Sequence, residues 1–303
     1  MTLTQPHLYD VSTAANFRDW GQSIGLAIAS FGWIQTADTG QVNWATVAAP
    51  AAGTFVYEIW RPGDALTPFY VKLEFGNNSG GNGPAIRISS GSGTNGAGVL
   101  TGVLSNVRNI VGLVGNQGAT TYVCNFAGDP SYFAVCMWHS GGSNCAFAFE
   151  RSRNAYGQAT PAYWTQYQCV GDAGSATRPT ASMQSVVFGV GAAQEGTSAT
   201  EPLAFNCIVG PATSSSSTGV ESSQSLLFNN QIGISPVFPY VGYFDYPGLV
   251  FVMIPMADFT DAYPAGPMTT FSVTLLGKSH TYGVLKYGPY GAFGQVCPGM
   301  RWE

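Results

Sequence analysis

Gly91-Ser92-Gly93-Thr94-Asn95-Gly96 has the G-x-G-x-x-G spacing that brings backbone N–H groups to a dinucleotide pyrophosphate. That chemistry needs a strand before the motif and a helix after it. A short strand over 85–89 meets the first condition. The following Ala97-Gly98-Val99-Leu100-Thr101-Gly102 is a poor helix start, and no acidic residue stands at the distance needed to hold a ribose. A surface loop is expected instead. Asp38-Thr39-Gly40 spells the aspartic-protease signature, but that reaction needs a second carboxylate to share one proton. No second Asp-Thr-Gly or Asp-Ser-Gly exists, and Thr36-Ala37 lacks the apolar pair of the entering strand. The expectation is a turn, with Asp38 closing an Asx-turn and Gly40 taking positive φ.

Sugar hydrolysis would need two carboxylates flanking a cleft. Asp258 and Asp261 are near each other in sequence and read as solvated surface. Glu150 is followed by Arg151 and Arg153, which predicts a local ion pair. No Gly-x-Ser-x-Gly is present, and His7, His139 and His280 show no partner pattern for a Ser-His-Asp site. His-x-x-x-His and Cys-x-x-Cys spacings are absent. Cys136, His139 and Cys145 suggest a metal site at first, but residues 136 and 139 fall on opposite faces of a strand. The six cysteines, at 124, 136, 145, 169, 207 and 297, are expected to be free and mostly buried. No catalytic, cofactor-binding or metal-ligating residue is assigned, and no cofactor is expected. Tyr240, Tyr243, Phe244 and Tyr246, with Pro239 and Pro247, form an aromatic cluster read as a subunit interface ahead of core or sugar platform.

These residues must be positioned by one helix and many strands. Phe17, Trp20, Ile24, Ile28 and Phe31 mark an amphipathic helix of about 18 residues. Ser12 or Thr13 supplies its N-cap and Gly32 its left-handed stop. After Gly32 the period becomes two. Strands are expected over 54–61, with Phe55, Tyr57 and Ile59 sharing a face, over 69–75 and over 85–89. Ser131–His139 and Asn144–Arg151 form a hairpin through Ser140-Gly141-Gly142-Ser143. Further strands are expected at 183–190, 203–209, 224–228, 249–254, 269–276 and 280–286, the last two joined by Gly277-Lys278-Ser279. Gly76–Gly83, Gly91–Gly98 and Thr213–Thr218 read as loops. The fold class is therefore mainly β (α+β): antiparallel sheets in a β-sandwich, with the helix packed on a sheet. A weak composition shift offers a division into 1–200, helix plus antiparallel β, and 201–303, β-rich, with one domain as the alternative. No internal repeat is evident.

Composition narrows the classes. Only 9% of the 303 residues are charged, against about 25% in an ordinary soluble domain. Such a chain is no coiled coil, and 13% aromatics exclude a disordered one. A net charge of −5 disfavours nucleic acid as a partner. No apolar run spans a membrane, and the start, Met1-Thr2-Leu3-Thr4-Gln5-Pro6, lacks the basic and apolar regions of a secretory signal.

Several stretches resemble a group of tailed-bacteriophage virion structural proteins of tail, fibre or decoration type. They are the helix followed by Thr36-Ala37-Asp38-Thr39-Gly40-Gln41-Val42-Asn43-Trp44, then Tyr57-Glu58-Ile59-Trp60-Arg61 with Asp64, and Val71-Lys72-Leu73-Glu74-Phe75-Gly76. Asn95–Gly102, Phe147-Ala148-Phe149-Glu150-Arg151-Ser152 and Met300-Arg301-Trp302-Glu303 follow in the same order. The resemblance implies a structural role without a defined active site, and it brings no catalytic residues. The expected partners are copies of the chain and other virion proteins, with a host surface glycan as a further candidate. The expected location is the virion, assembled in the host cytoplasm, at the tail, baseplate, neck or fibre. A receptor-binding tail-fibre protein and a capsid decoration protein are the alternatives.

Overall fold

The computed structural model describes residues 2–8, 10–66, 68–77, 83–111, 121–138, 144–153, 159–169 and 182–188, and the strands at 204–208, 235–236, 251–255, 270–275, 278–284 and 296–301. For most residues beyond Arg151 the description is of strand pairing. The order begins β1 (Thr2–Leu8), α1 (Ala14–Ser30), β2 (Ile34–Gln35), β3 (Phe55–Arg61), β4 (Tyr70–Asn77), β5 (Pro84–Thr94) and β6 (Leu100–Val111). It continues with β7 (Thr121–Asp129), β8 (Tyr132–Trp138), β9 (Asn144–Arg153), β10 (Ala159–Cys169), β11 (Ser182–Phe188) and β12 (Ala204–Ile208). The last strands are β13 (Ser235–Pro236), β14 (Phe251–Pro255), β15 (Thr270–Leu275), β16 (Lys278–Val284) and β17 (Val296–Arg301).

The fold is mainly β with one helix among the described residues, and every strand pair is antiparallel. One sheet has the order β1-β7-β8-β9-β10-β11-β12, a second β2-β3-β4-β5-β6, and a third β13-β14-β17-β16-β15. β11 and β12 pair across residue 200, and the third sheet is drawn from 235–301. No helix among the described residues is long and apolar enough to cross a membrane.

The helix forms where its stripe predicts. Thr13 is the N-cap, its Oγ1 accepting from the Asn16 amide at 3.2 Å. Gly32, at φ +90°, turns the chain out of the helix. Phe17, Trp20, Ile24 and Ile28 are completely buried. On one side they meet Val71, Leu73 and Phe75 of β4 with Ile86 and Ile88 of β5, and on the other Cys124, Phe126, Val135 and Met137. The Trp20 ring stands edge-on to Phe75 at 5.8 Å and its Nε1 donates to Met137 Sδ at 3.4 Å. The seven-stranded sheet and the β2–β6 sheet also meet where Phe69, just before β4, packs on Phe149 of β9. The helix thus fills part of a sandwich core, and each buried aromatic contributes about 1.5–3 kcal/mol.

Alternation in β4 places Val71, Leu73 and Phe75 inward as expected. In β3, Phe55, Tyr57 and Ile59 do share a face, but it is the one turned away from the helix-side core, where Phe55 and Tyr57 are half-buried and Ile59 is fully buried. Val56, Glu58 and Trp60 stand opposite Phe75, Leu73 and Val71 and face the core. Lys72 lies 4.3 Å over the Tyr57 ring and Arg87 3.6 Å over the Phe55 ring, which covers the outer aromatics with cations.

The Gly91–Gly98 stretch is not all loop. Gly91 to Thr94 continue β5, which pairs with β6 around two register shifts. A Cβ at residue 91 would come within 2.8 Å of the Thr101 carbonyl, so glycine here serves close strand approach rather than flexibility. The expected Gly277-Lys278-Ser279 turn is also displaced, because Lys278 already pairs with Leu275. The expected strand over 224–228, the 140–143 turn, Thr213–Thr218, the Tyr240–Tyr246 cluster, Asp258, Asp261 and His139 lie outside the described residues.

Gly21 and Gly25 sit on the buried face of α1. A Cβ at Gly21 would overlap the Trp44 ring, and one at Gly25 would lie 2.9 Å from a Glu58 oxygen. Gly21→Ala should therefore lower the melting temperature. Helix propensity favours alanine by about 1 kcal/mol, but overpacking costs about 1–3 kcal/mol. A rise in melting temperature on scanning calorimetry would contradict this close fit.

Candidate functional site

Four polar constellations bring chemically capable residues together. The first joins β1 to α1. Asp19 and Ser23 are one helical turn apart, on one face. His7 reaches between them, with Nδ1 2.7 Å from Asp19 Oδ2 and Nε2 3.0 Å from Ser23 Oγ. For His7 this corrects the expectation that it lacks a partner pattern. The missed signal was the i, i+4 spacing of Asp19 and Ser23, which no local pattern connects to residue 7.

The order Ser–His–Asp is that of an acyl-transfer relay, yet its surroundings serve another end. Ser23 is buried, and its hydroxyl also donates to the Trp20 carbonyl at 2.7 Å. Ser23 lies inside the helix, so neighbouring backbone N–H groups are committed to the helical ladder rather than to a developing oxyanion. The three side chains fasten an edge strand to the helix.

The second constellation is built on Asp38. Its Oδ2 accepts from Thr36 Oγ1 at 2.7 Å and from Thr94 Oγ1 at 2.9 Å, and its Oδ1 from the Gly98 amide at 3.1 Å. Tyr57 donates to the Thr39 carbonyl at 2.7 Å, and the Thr39 amide to the Gly96 carbonyl at 2.9 Å. Gly40 does take positive φ, +83°. Asp38 does not close the expected Asx-turn, since its carboxylate instead clasps the tip of the β5–β6 hairpin, 56 to 60 residues away. The aspartic-protease and dinucleotide look-alike motifs therefore meet each other. Gly98, at φ +81°, lies where any side chain would overlap the Tyr57 hydroxyl.

Burial pushes the Asp38 carboxyl up, but donors from Thr36, Gly98, Thr94 and Gly96 outweigh it and hold the group below its usual 3.8. The ionised form is thus favoured by folding. Its contribution is full above 3.8 and is lost as pH falls from there through the folded value. Asp38→Ala should cost about 1.5–3 kcal/mol at neutral pH, with the deficit shrinking under acid. Urea unfolding at neutral and acid pH checks this, and a deficit that grows under acid would refute it.

The third constellation is Glu58, almost fully buried on β3. It accepts Trp44 Nε1 at 2.6 Å and Trp60 Nε1 at 2.9 Å. Burial pushes its pKa up, and the two indole donors pull it only part of the way back. The fourth is the Asp64–Arg151 pair. Arg151 donates from Nε to Asp64 Oδ2, and from Nη2 to Oδ1 at 2.5 Å. Asp64, anticipated only as part of the resemblance, is thus an ion-pair partner of Arg151. It links β9 to the segment after β3, and so one sheet to the other.

Cys124 and Cys136 are free and buried, as expected, and burial pushes both thiols up, away from the reactive thiolate. Among the described residues no group of three or more His, Cys, Asp or Glu is placed to hold a metal. No protein-family model and no curated protein matches the chain.

Proposed function

We propose that the chain is a structural component of a tailed-bacteriophage virion, a tail, baseplate, neck or fibre-associated subunit that makes fixed contacts. The observation that carries this reading is where the polar residues go. Asp38, Tyr57, Glu58, Asp64 and Arg151 all lie in the stretches that resemble virion proteins, and each is spent on tying loops, strands or sheets together. With only 9% charged residues, most remaining surface is held soluble by uncharged groups. A surface of that kind suits permanent burial against other subunits. Contacts repeated around a particle axis follow from copies of one chain.

Antibody labelling of purified phage particles, imaged by electron microscopy, tests the reading. Labelling along the tail or at its tip is the expected result. Labelling of the head would move the protein to capsid decoration, and bare particles would overturn the proposal.

A further inference from the structure

A cleft of about 70 Å³ opens beside the Asp64–Arg151 pair, lined by Arg61, Asp64, Leu66, Pro68, Tyr70 and Arg151 among others. It has room for several water molecules, or for a carboxylate and the carbon that carries it. Arg151 is committed to Asp64 by two hydrogen bonds. Arg61, at the end of β3, is half-buried, and its guanidinium has no hydrogen-bond or ion-pair partner among the described residues. Two cations and one carboxylate leave a single positive charge facing the cleft, in a chain whose net charge is −5.

We infer that this cleft seats an aspartate or glutamate side chain from a second copy of the chain, an inference that rests on the assembling-subunit reading above. A guanidinium without a partner among the described residues, beside a small cavity, is built for a carboxylate, which it grips through two parallel N–H donors. The rim favours protein over sugar. Leu66 and Pro68 are exposed apolar groups, and Tyr70 is half-buried. Arginine and tyrosine within an apolar rim are the usual anchors of protein interfaces. A sugar acid would need partners for its hydroxyls, and Asp64 already has one. A second copy supplies the carboxylate, since each copy carries 16 acidic against 11 basic residues.

Sedimentation velocity on the full chain, over a range of concentrations at low and high salt, tests this. Wild type should self-associate, and salt should weaken the association. Arg61→Glu should weaken it roughly tenfold or more by setting like charges face to face. Arg61→Lys should fall between, since an ammonium lacks the planar fork. Unchanged thermal melting of both variants would show that the fold is retained. Equal association of wild type and Arg61→Glu overturns the inference, and so does a wild type that stays monomeric throughout. Sodium glucuronate that shifts the amide resonances of wild type and not of Arg61→Glu, without self-association, overturns it in favour of a sugar acid. Labelled particles with Arg61-independent association would sink the cleft alone. Unlabelled particles with Arg61-dependent association would sink the virion reading alone.

Discussion

Arg151→Ala is expected to lower the free energy of unfolding by about 3–5 kcal/mol, the usual cost of removing one partner of a buried ion pair. Arg151 is only 1% exposed and Asp64 17%, so little water reaches the pair to replace the lost donors. The carboxylate keeps the Leu66 amide at 3.1 Å but loses its guanidinium. The long aliphatic stem of Arg151 also packs inside the protein, so alanine leaves a void as well as a charge. The pair joins β9 to the segment after β3, so the loss should loosen one sheet from the other. Asp64→Asn combined with Arg151→Met should cost less than Arg151→Ala alone, because neutral groups replace both charges. Urea unfolding followed by tryptophan fluorescence measures all of these. A change within about 1 kcal/mol for Arg151→Ala would place the pair with exposed surface bridges.

The second large effect is expected at Glu58. Glu58→Ala removes the acceptor of both Trp44 and Trp60, and each stranded indole donor costs about 1–3 kcal/mol. The void would open directly beneath Gly25 of α1, where a Cβ would lie 2.9 Å from a Glu58 oxygen. Glu58→Gln keeps one carbonyl and should lose less. The pH dependence gives a second signature. The folded group holds its proton above the usual 4.5, because burial outweighs the indole donors. The unfolded chain ionises first as pH rises. Stability is therefore greatest below 4.5, and declines as pH rises from there through the folded value. Glu58→Gln has no such decline. Its stability relative to wild type should thus improve between acid and neutral pH. A constant difference would show that Glu58 ionises as an exposed carboxylate does.

Much of the fold was legible in residue periodicity. The helix, β4 and the β8–β9 hairpin follow from single-period patterns that burial enforces. β1 was not legible, because Pro6 argues against a strand. It is tolerated because β1 is the sheet edge, where one missing donor is harmless. β7 carries a usable signal of its own, the alternation of Tyr122, Cys124 and Phe126 toward the core. Glycine ends the legible part of β5 at residue 89, yet Gly91 and Gly93 fit a crowded strand pair. The outward turn of Phe55 and Tyr57 was hidden for another reason. Glu58 occupies a core position that hydropathy alone would refuse, and two indole donors make it acceptable there.

The polar sites were the least legible part. His7 lies 12 residues from Asp19, Asp38 lies 56 from Thr94, and Asp64 lies 87 from Arg151. Neighbours a few residues apart, together with composition, set the helix, the alternating strands, the antiparallel mainly β class and the scarcity of charge. Which acid meets which base is settled by the packing of distant segments. That choice depends on sheet order and on which face each strand turns inward, and a one-residue slip in register would reverse it. The same geometry left Arg61 as the cation without a partner among the described residues.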